Sequence, residues 1–379
     1  MSRVPEPSVF LVVDEAKRKA RERGVGLIDL SIGSTDLPPP EAPLKALAEA
    51  LNDPTTYGYC LKSCTLPFLE EAARWYEGRY GVGLDPRREA LALIGSQEGL
   101  AHLLLALTEP EDLLLLPEVA YPSYFGAARV ASLRTFLIPL REDGLADLKA
   151  VPEGVWREAK VLLLNYPNNP TGAVYPKEVL EALARLAVEH DFYLVSDEIY
   201  EHLLYEGEHF SPGRVAPEHT LTVNGAAKAF AMTGWRIGYA CGPKEVIKAM
   251  ASVSSQSTTS PDTIAQWATL EALTNQEASR AFVEMAREAY RRRRDLLLEG
   301  LTALGLKAVR PSGAFYVLMD TSPIAPDEVR AAERLLEAGV AVVPGTDFAA
   351  FGHVRLSYAT SEENLRKALE RFARVLGRA

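Results

Sequence analysis

Short apolar runs recur through the middle of the chain: Leu91 to Ile94, Leu113 to Leu116, Val161 to Leu164, Phe192 to Val195, Leu221 to Val223 and Ile237 to Cys241. Between them lie stretches with helical spacing of apolar positions, among them Ser96 to Leu107, Pro176 to His190 and Pro243 to Ala251. Apolar strands alternating with helices predict a largely parallel sheet covered on both faces. Upstream, a strand-like run from Leu27 to Ile32 ends in the stiff corner Pro38-Pro39-Pro40. Downstream, a long charged helix is expected from about Glu277 to Leu304, and its run Arg291-Arg292-Arg293-Arg294 reads as a solvated helix face. The tail reads as a small α+β unit: strand Ala314 to Met319, helix Pro326 to Ala338, strands Val340 to Val343 and Val354 to Tyr358, then a final helix. The pair Thr360 and Glu363 predicts a capping box at the start of that helix. Packed with the N-terminal segment, this tail gives a small α+β domain from residues 1–44 and 286–379 beside a large α/β domain over residues 45–285.

Composition narrows the function classes. The chain has 379 residues and a net charge of -10, with acidic and basic residues interspersed. That balance disfavours nucleic acid and anionic membrane surfaces as partners. Three cysteines argue for free thiols in a reducing compartment, and Cys60 and Cys64 lack a second pair at zinc-site spacing, so no metal is expected. The start, from Met1 to Pro7, has no apolar signal region, and no apolar run reaches membrane-spanning length. The expectation is a soluble cytoplasmic protein.

Candidate chemistry lies just beyond the predicted strand ends, where open α/β sheets place their ligands. Lys228 follows Val223-Asn224-Gly225-Ala226-Ala227 with no carboxylate beside it. Burial among small and apolar residues lowers an amine's pKa and frees it to form Schiff bases with aldehydes. Alone it would equally well be a surface lysine. Arg236, eight residues later, offers a cationic fork suited to phosphate. Together they suggest a phosphorylated aldehyde, pyridoxal phosphate (PLP). The turn Gly95-Ser96-Gln97-Glu98-Gly99 lies between a strand and a helix, so Ser96 and Gln97 sit at a ready anion site. The octet Asn165 to Gly172 makes a rigid turn from which Asn169 can donate to a phenolate oxygen. Asp197, at a strand end, can pair with a protonated pyridine nitrogen or merely cap a helix; Tyr200 can donate beside Asn169. Arg355, inside an apolar strand, calls for a carboxylate from either a substrate or the protein. Tyr121 can stack on a cofactor ring, though isolated aromatics are more often core. The stretch from Glu201-His202 to Glu208-His209 lacks metal-site spacing and reads as a solvated loop.

Taken together, Asn169-Pro170-Thr171-Gly172, Asp197-Glu198-Ile199-Tyr200, Lys228 with Thr233-Gly234-Trp235-Arg236, and Arg355 resemble the pattern of fold-type I PLP-dependent aminotransferases over nearly the whole chain. The resemblance implies a mostly parallel seven-stranded sheet, a small domain from both termini, and a homodimer with shared active sites. It implies that Lys228, Asp197 and Tyr200 are catalytic. Ser96, Gln97, Tyr121, Asn169 and Arg236 would hold the cofactor, with Tyr57 reaching the neighbouring subunit's cofactor phosphate. Gly33, Tyr121, Asn169 and Arg355 would bind substrate. From about Gly172 onward the chain resembles bacterial aspartate aminotransferases very closely. Earlier segments, Asp53 to Cys60, Arg79 to Pro86 and Asn165 to Pro170, resemble the diaminopimelate group, as in a hybrid joined near Asn168 to Pro176. The aspartate group's Gly-Gly-Lys-Gln reads Gly95-Ser96-Gln97-Glu98 here, so a cation expected near a distal carboxylate is missing. Gly33-Ser34-Thr35-Asp36-Leu37 departs from the usual Gly-x-Pro-Asp-Phe, and the serines often found before the lysine are Ala227 and Gly225. The implied activity is ping-pong transfer of an amino group from an L-amino acid, aspartate or glutamate first, to 2-oxoglutarate. Diaminopimelate or N-succinyldiaminopimelate transfer, a PLP-dependent β-lyase and a non-catalytic ligand sensor are the alternatives. No G-x-G-x-x-G follows a predicted strand, which sets aside a dinucleotide-binding dehydrogenase.

Overall fold

The computed structural model describes residues 4–378; Met1 to Arg3, part of the segment read above for a signal region, and Ala379 lie outside the described residues. Its strands, in chain order, are β1 (Ile28–Asp29), β2 (Ala90–Leu93), β3 (Leu113–Pro117), β4 (Arg134–Ile138), β5 (Ala159–Asn165), β6 (Tyr193–Asp197), β7 (Thr220–Asn224), β8 (Gly238–Cys241), β9 (Tyr316–Asp320), β10 (Val340–Ala341), β11 (Val343–Pro344) and β12 (His353–Ser357). Strands β2 to β8 make a seven-stranded sheet in the order β2-β8-β7-β6-β5-β3-β4. It is mostly parallel; only β8 runs against its neighbours β2 and β7.

Alternation along the central strands explains why both faces are covered. Leu114, Leu116, Val161 and Leu163 join one core with the helix Gly95–Leu107. Leu113, Leu115, Leu162 and Leu164 join another with the helix Lys177–His190. Side chains of successive strand residues point to opposite faces, so strands buried on both sides read as unbroken apolar runs. Edge strand β4 carries the short apolar run Phe136 to Ile138, yet Arg134, Thr135 and Leu137 are exposed and only Ile138 is buried. It is an additional strand, not among those expected from the sequence.

A second, three-stranded antiparallel sheet has the order β11-β12-β9. Beside it, β1 pairs in parallel with β10, Ile28 opposite Val340, which ties the N-terminal segment to the tail. The expected strand Val340 to Val343 is thus divided between two sheets. Ser361, not Thr360, caps the final helix Glu362–Val375, accepting from the Asn364 amide at 3.2 Å. Thr360 Oγ1 instead accepts from the Asn364 side chain.

Three other readings change. Arg291 and Arg292 are solvated, but Arg293 forks onto Asp36 at 2.8 and 3.0 Å. Arg294 is 2% exposed and donates to the Pro311 carbonyl. The 28-residue helix Gln276–Ala303 buries a stripe through Ala286, Tyr290, Arg294, Leu297 and Leu301, and Arg294 falls on it. Cys60 and Cys64, read as free thiols, form a disulfide; the first turn of the helix Lys62–Tyr80 brings their Cα atoms to 5.2 Å. Cys241 is free and buried. Glu201 does not lie in a solvated loop: it is buried, taking Arg79 Nε and Asn224 Nδ2 at 2.7 Å each and the Tyr80 hydroxyl. Glu198, Glu201 and His209 hold ligand-type atoms within 4.8 Å of one another, but Glu201 already has its cation in Arg79.

Candidate active site

At the carboxyl ends of β5 and β6 a cavity of about 510 Å³ collects Gly33, Ser96, Gln97, Tyr121, Asn169, Asp197, Tyr200, Lys228, Arg236 and Arg355. Every proposed site residue except Tyr57 therefore meets in one place. Tyr57 stands apart, 69% exposed, with its hydroxyl on the Leu51 carbonyl.

Asn165 ends β5 and organises the turn after it. Its Oδ1 takes the Asn169 amide at 2.8 Å and its Nδ2 donates to the Asp197 carbonyl at 3.0 Å. The peptide bonds before Pro167 and Pro170 are cis. Asn169 Oδ1 accepts from Arg355 Nη1 at 3.1 Å, which leaves Nδ2 as its free donor.

Asp197 ends β6 and is 4% exposed. The Tyr124 hydroxyl donates to its Oδ2 at 2.6 Å, and the Ile199 amide reaches Oδ1 at 3.3 Å. Neither partner carries a charge. Burial pushes the carboxyl up to about 6, against the pull of Tyr124, Ile199 and Lys228. Asp197 is a buried anion in want of a cation.

Lys228 lies in the short helix Ala226–Ala229, and its ammonium donates to the Gly33 carbonyl at 2.6 Å. The rings of Tyr200 and Phe315 flank it, their centroids 5.7 and 5.8 Å away. Burial, then Arg355 and Arg236, bring its pKa from 10.5 down to about 7, opposed by Asp197. Below pH 7 the amine holds its proton; above it the neutral nucleophile prevails. Reductive methylation of the cofactor-free protein is therefore expected to modify Lys228 with a half-maximal pH near 7. Peptide mass spectrometry would read this, and a midpoint near 10.5 would refute it.

The anion site forms where two unusual backbones meet. Gly95 has φ +71°, and a Cβ there would stand 2.7 Å from Arg236 Nη2. Arg236 itself has φ +53° and donates to the Thr233 carbonyl. Its guanidinium thus lies against the first turn of the helix Gly95–Leu107, which carries Ser96 and Gln97. A helix N-terminus and an arginine converging in this way favour a phosphate.

Arg355, 1% exposed, donates Nη2 to the Ser31 carbonyl at 2.6 Å and lies 4.3 Å from the Tyr316 ring centroid. Its Nε is buried without a partner, a donor suited to a carboxylate. The Tyr316 hydroxyl pairs with that of Tyr200 at 2.9 Å, and a Cβ on Gly33 would fall 2.6 Å from it. Only glycine fits there without displacement. Tyr121 donates to Gln97 Oε1 at 3.2 Å.

Tyr124, Tyr316 and Lys17, absent from the candidates drawn from the sequence, also line this cavity, as does Asn165, the first residue of the octet. Tyr124 had a signal: it lies three residues after Tyr121, the spacing of side chains that share a helix face.

The chain matches the family of class I and II aminotransferases over residues 25–372. It is 68% identical over 382 residues to the aspartate/prephenate aminotransferase of Thermus thermophilus, covering 99% of this chain and 97% of that protein. It is 36% identical over 380 residues to the LL-diaminopimelate aminotransferase of Moorella thermoacetica, covering 98% and 96%. Among solved structures, aspartate aminotransferase from Thermus thermophilus with maleate superposes with a TM-score of 0.93 at 66% identity, covering 98% of this chain and 97% of that one.

Proposed function

Because the chain belongs to the class I and II aminotransferases, a PLP-dependent family of transaminases, we propose that it holds PLP in this cavity and moves the amino group of L-aspartate or L-glutamate to 2-oxo acids, 2-oxoglutarate first among them. The observation that carries the reading is the pairing in one cavity of a buried, cation-seeking Asp197 with a low-pKa Lys228. The residues fit the cofactor. Arg236 and the Ser96–Gln97 turn suit its phosphate, Asn169 and Tyr200 its phenolate oxygen, Tyr121 its ring face, and Asp197 its pyridine nitrogen. Bound there, PLP supplies an aldehyde that condenses with amines and a ring that accepts negative charge from the substrate.

The side chains do the rest. Asp197 keeps the pyridine nitrogen protonated, and Tyr124 holds the carboxylate in place. Arg355 fixes the substrate α-carboxylate and so orients the Cα–H bond. The Lys228 amine takes the proton from Cα and returns it on the cofactor side, which a base near neutrality does efficiently. Tyr57 serves the cofactor phosphate of a second copy in a homodimer. Residues 1–44 and 286–379 act as a small domain over the large one of residues 45–285.

The two-part resemblance bears on substrate. Asp197, Lys228, Arg236 and Arg355 lie after Gly172, where the resemblance to aspartate aminotransferases is very close; the segments that resemble the diaminopimelate group, Asp53 to Cys60, Arg79 to Pro86 and Asn165 to Pro170, all precede it. Diaminopimelate transfer is therefore the second reading. A panel of aspartate, glutamate, diaminopimelate and N-succinyldiaminopimelate as donors to 2-oxoglutarate separates them. We expect aspartate to give the highest kcat/KM, and a diaminopimelate donor surpassing it by tenfold would favour the second reading.

A further inference from the structure

Among the described residues lining the cavity, the cationic side chains are Lys17, Lys228, Arg236 and Arg355. The last three already have tasks. Lys17 has none, yet it is 3% exposed on the helix α1 (Val9–Glu22), a burial that lysine tolerates only with partners. Its Nζ lies 3.0 Å from Asp29 Oδ2 and 3.3 Å from Asp14 Oδ1.

These partners differ in kind. Asp29 is built into the site: its Oδ1 accepts the Ser31 amide at 2.9 Å and the Ser31 hydroxyl at 2.6 Å, and the Ser31 carbonyl accepts Arg355 Nη2. Lys17 is thus linked through Asp29 and Ser31 to the arginine that meets the α-carboxylate. Asp14, by contrast, has a side chain 72% exposed and sits one helical turn from Lys17. With its carboxylate largely in water, Asp14 can leave this i,i+3 contact at little cost, whereas Lys17 cannot leave its own buried place. Phe10, Leu11 and Ile32 line the same wall and offer contacts for methylenes only.

We infer that Lys17 is a specificity-determining residue that binds the distal carboxylate of a dicarboxylic amino or oxo acid, and that Asp14 occupies the place of that carboxylate when no substrate is bound. The substrate carboxylate displaces Asp14, Asp29 keeps Lys17 in position, and the charge of the site is unchanged by the exchange. Lys17 thereby fills the role left open at Gln97. This inference rests on the aminotransferase reading and deepens it.

The test is the donor half-reaction of the PLP-loaded enzyme, followed by cofactor absorbance with L-aspartate or L-leucine and no acceptor. Lys17→Met is expected to lower the aspartate-to-leucine ratio of kcat/KM about 30-fold, mostly through KM, and Asp14→Asn to raise it about threefold. Opposite signs from neighbouring residues are not the mark of a merely structural role. An unchanged ratio in a folded Lys17→Met enzyme, or a reduced one in Asp14→Asn, overturns the inference. If Lys17→Met does not fold, Asp14→Asn alone decides. If the wild type reacts with neither donor, the aminotransferase reading itself fails, which is a separate outcome.

Discussion

Replacing Lys228 with alanine should lower turnover roughly 10⁴-fold while PLP still binds, because the variant loses both the covalent anchor and the proton carrier. The loss follows from what surrounds the amine. Its pKa of about 7 comes from burial beside Arg355 and Arg236, and the flanking Tyr200 and Phe315 rings supply no base near neutrality. Water at the truncated side chain is a poor base near neutrality. The readout has two parts. Borohydride should fix PLP covalently to the wild type but not to Lys228→Ala, and equilibrium dialysis should still find PLP bound by both through the phosphate and ring contacts. Turnover within tenfold of wild type would reject the assignment.

Asp197→Asn should act in opposite directions on the empty and loaded protein. In the empty protein the carboxylate is an uncompensated buried charge, with a pKa raised from 3.8 to about 6. A raised carboxyl pKa means that the folded state binds the extra proton between these values. The cost is therefore absent below about pH 4, grows as pH rises through 6, and is complete above it. A shift of this size corresponds to about 3 kcal/mol, as an order of magnitude. Asparagine removes that charge and still accepts from Tyr124, so the cofactor-free variant should melt higher than wild type at pH 7.5 and equally at pH 4. With PLP the sign reverses. Loss of the partner to the pyridine nitrogen should weaken PLP binding about 100-fold, in keeping with the cost of breaking a buried ion pair. Turnover should fall further, since an uncharged ring accepts electrons poorly. A cofactor-free variant less stable than wild type at pH 7.5, with unaltered PLP affinity, would contradict this role.

Legibility in the sequence followed the range of the interaction. Lys228, Asp197, Asn169 and Arg236 were readable because each follows an apolar strand or sits in a turn whose chemistry is local. Gly33 needs Tyr316 to explain it, and those residues lie almost 300 positions apart in the chain. Tyr124 and Asp197 are 73 residues apart, and Lys17 acquires its meaning only when α1 folds against Asp29 and the cavity. The same limit explains the structural differences. Strand β4 owes its place to its parallel partner β3, since at the sheet edge only its Ile138 is buried. Arg294 and Glu201 look like surface charges until Pro311 and Arg79 come to meet them.

The most direct measurement of amino transfer in this cavity is isotopic. Purified protein with PLP, ¹⁵N-labelled L-glutamate and unlabelled oxaloacetate should yield ¹⁵N-aspartate and 2-oxoglutarate in equal amounts, with no ammonia released. Label recovered as ammonia, or remaining wholly in glutamate while PLP is bound, would contradict it.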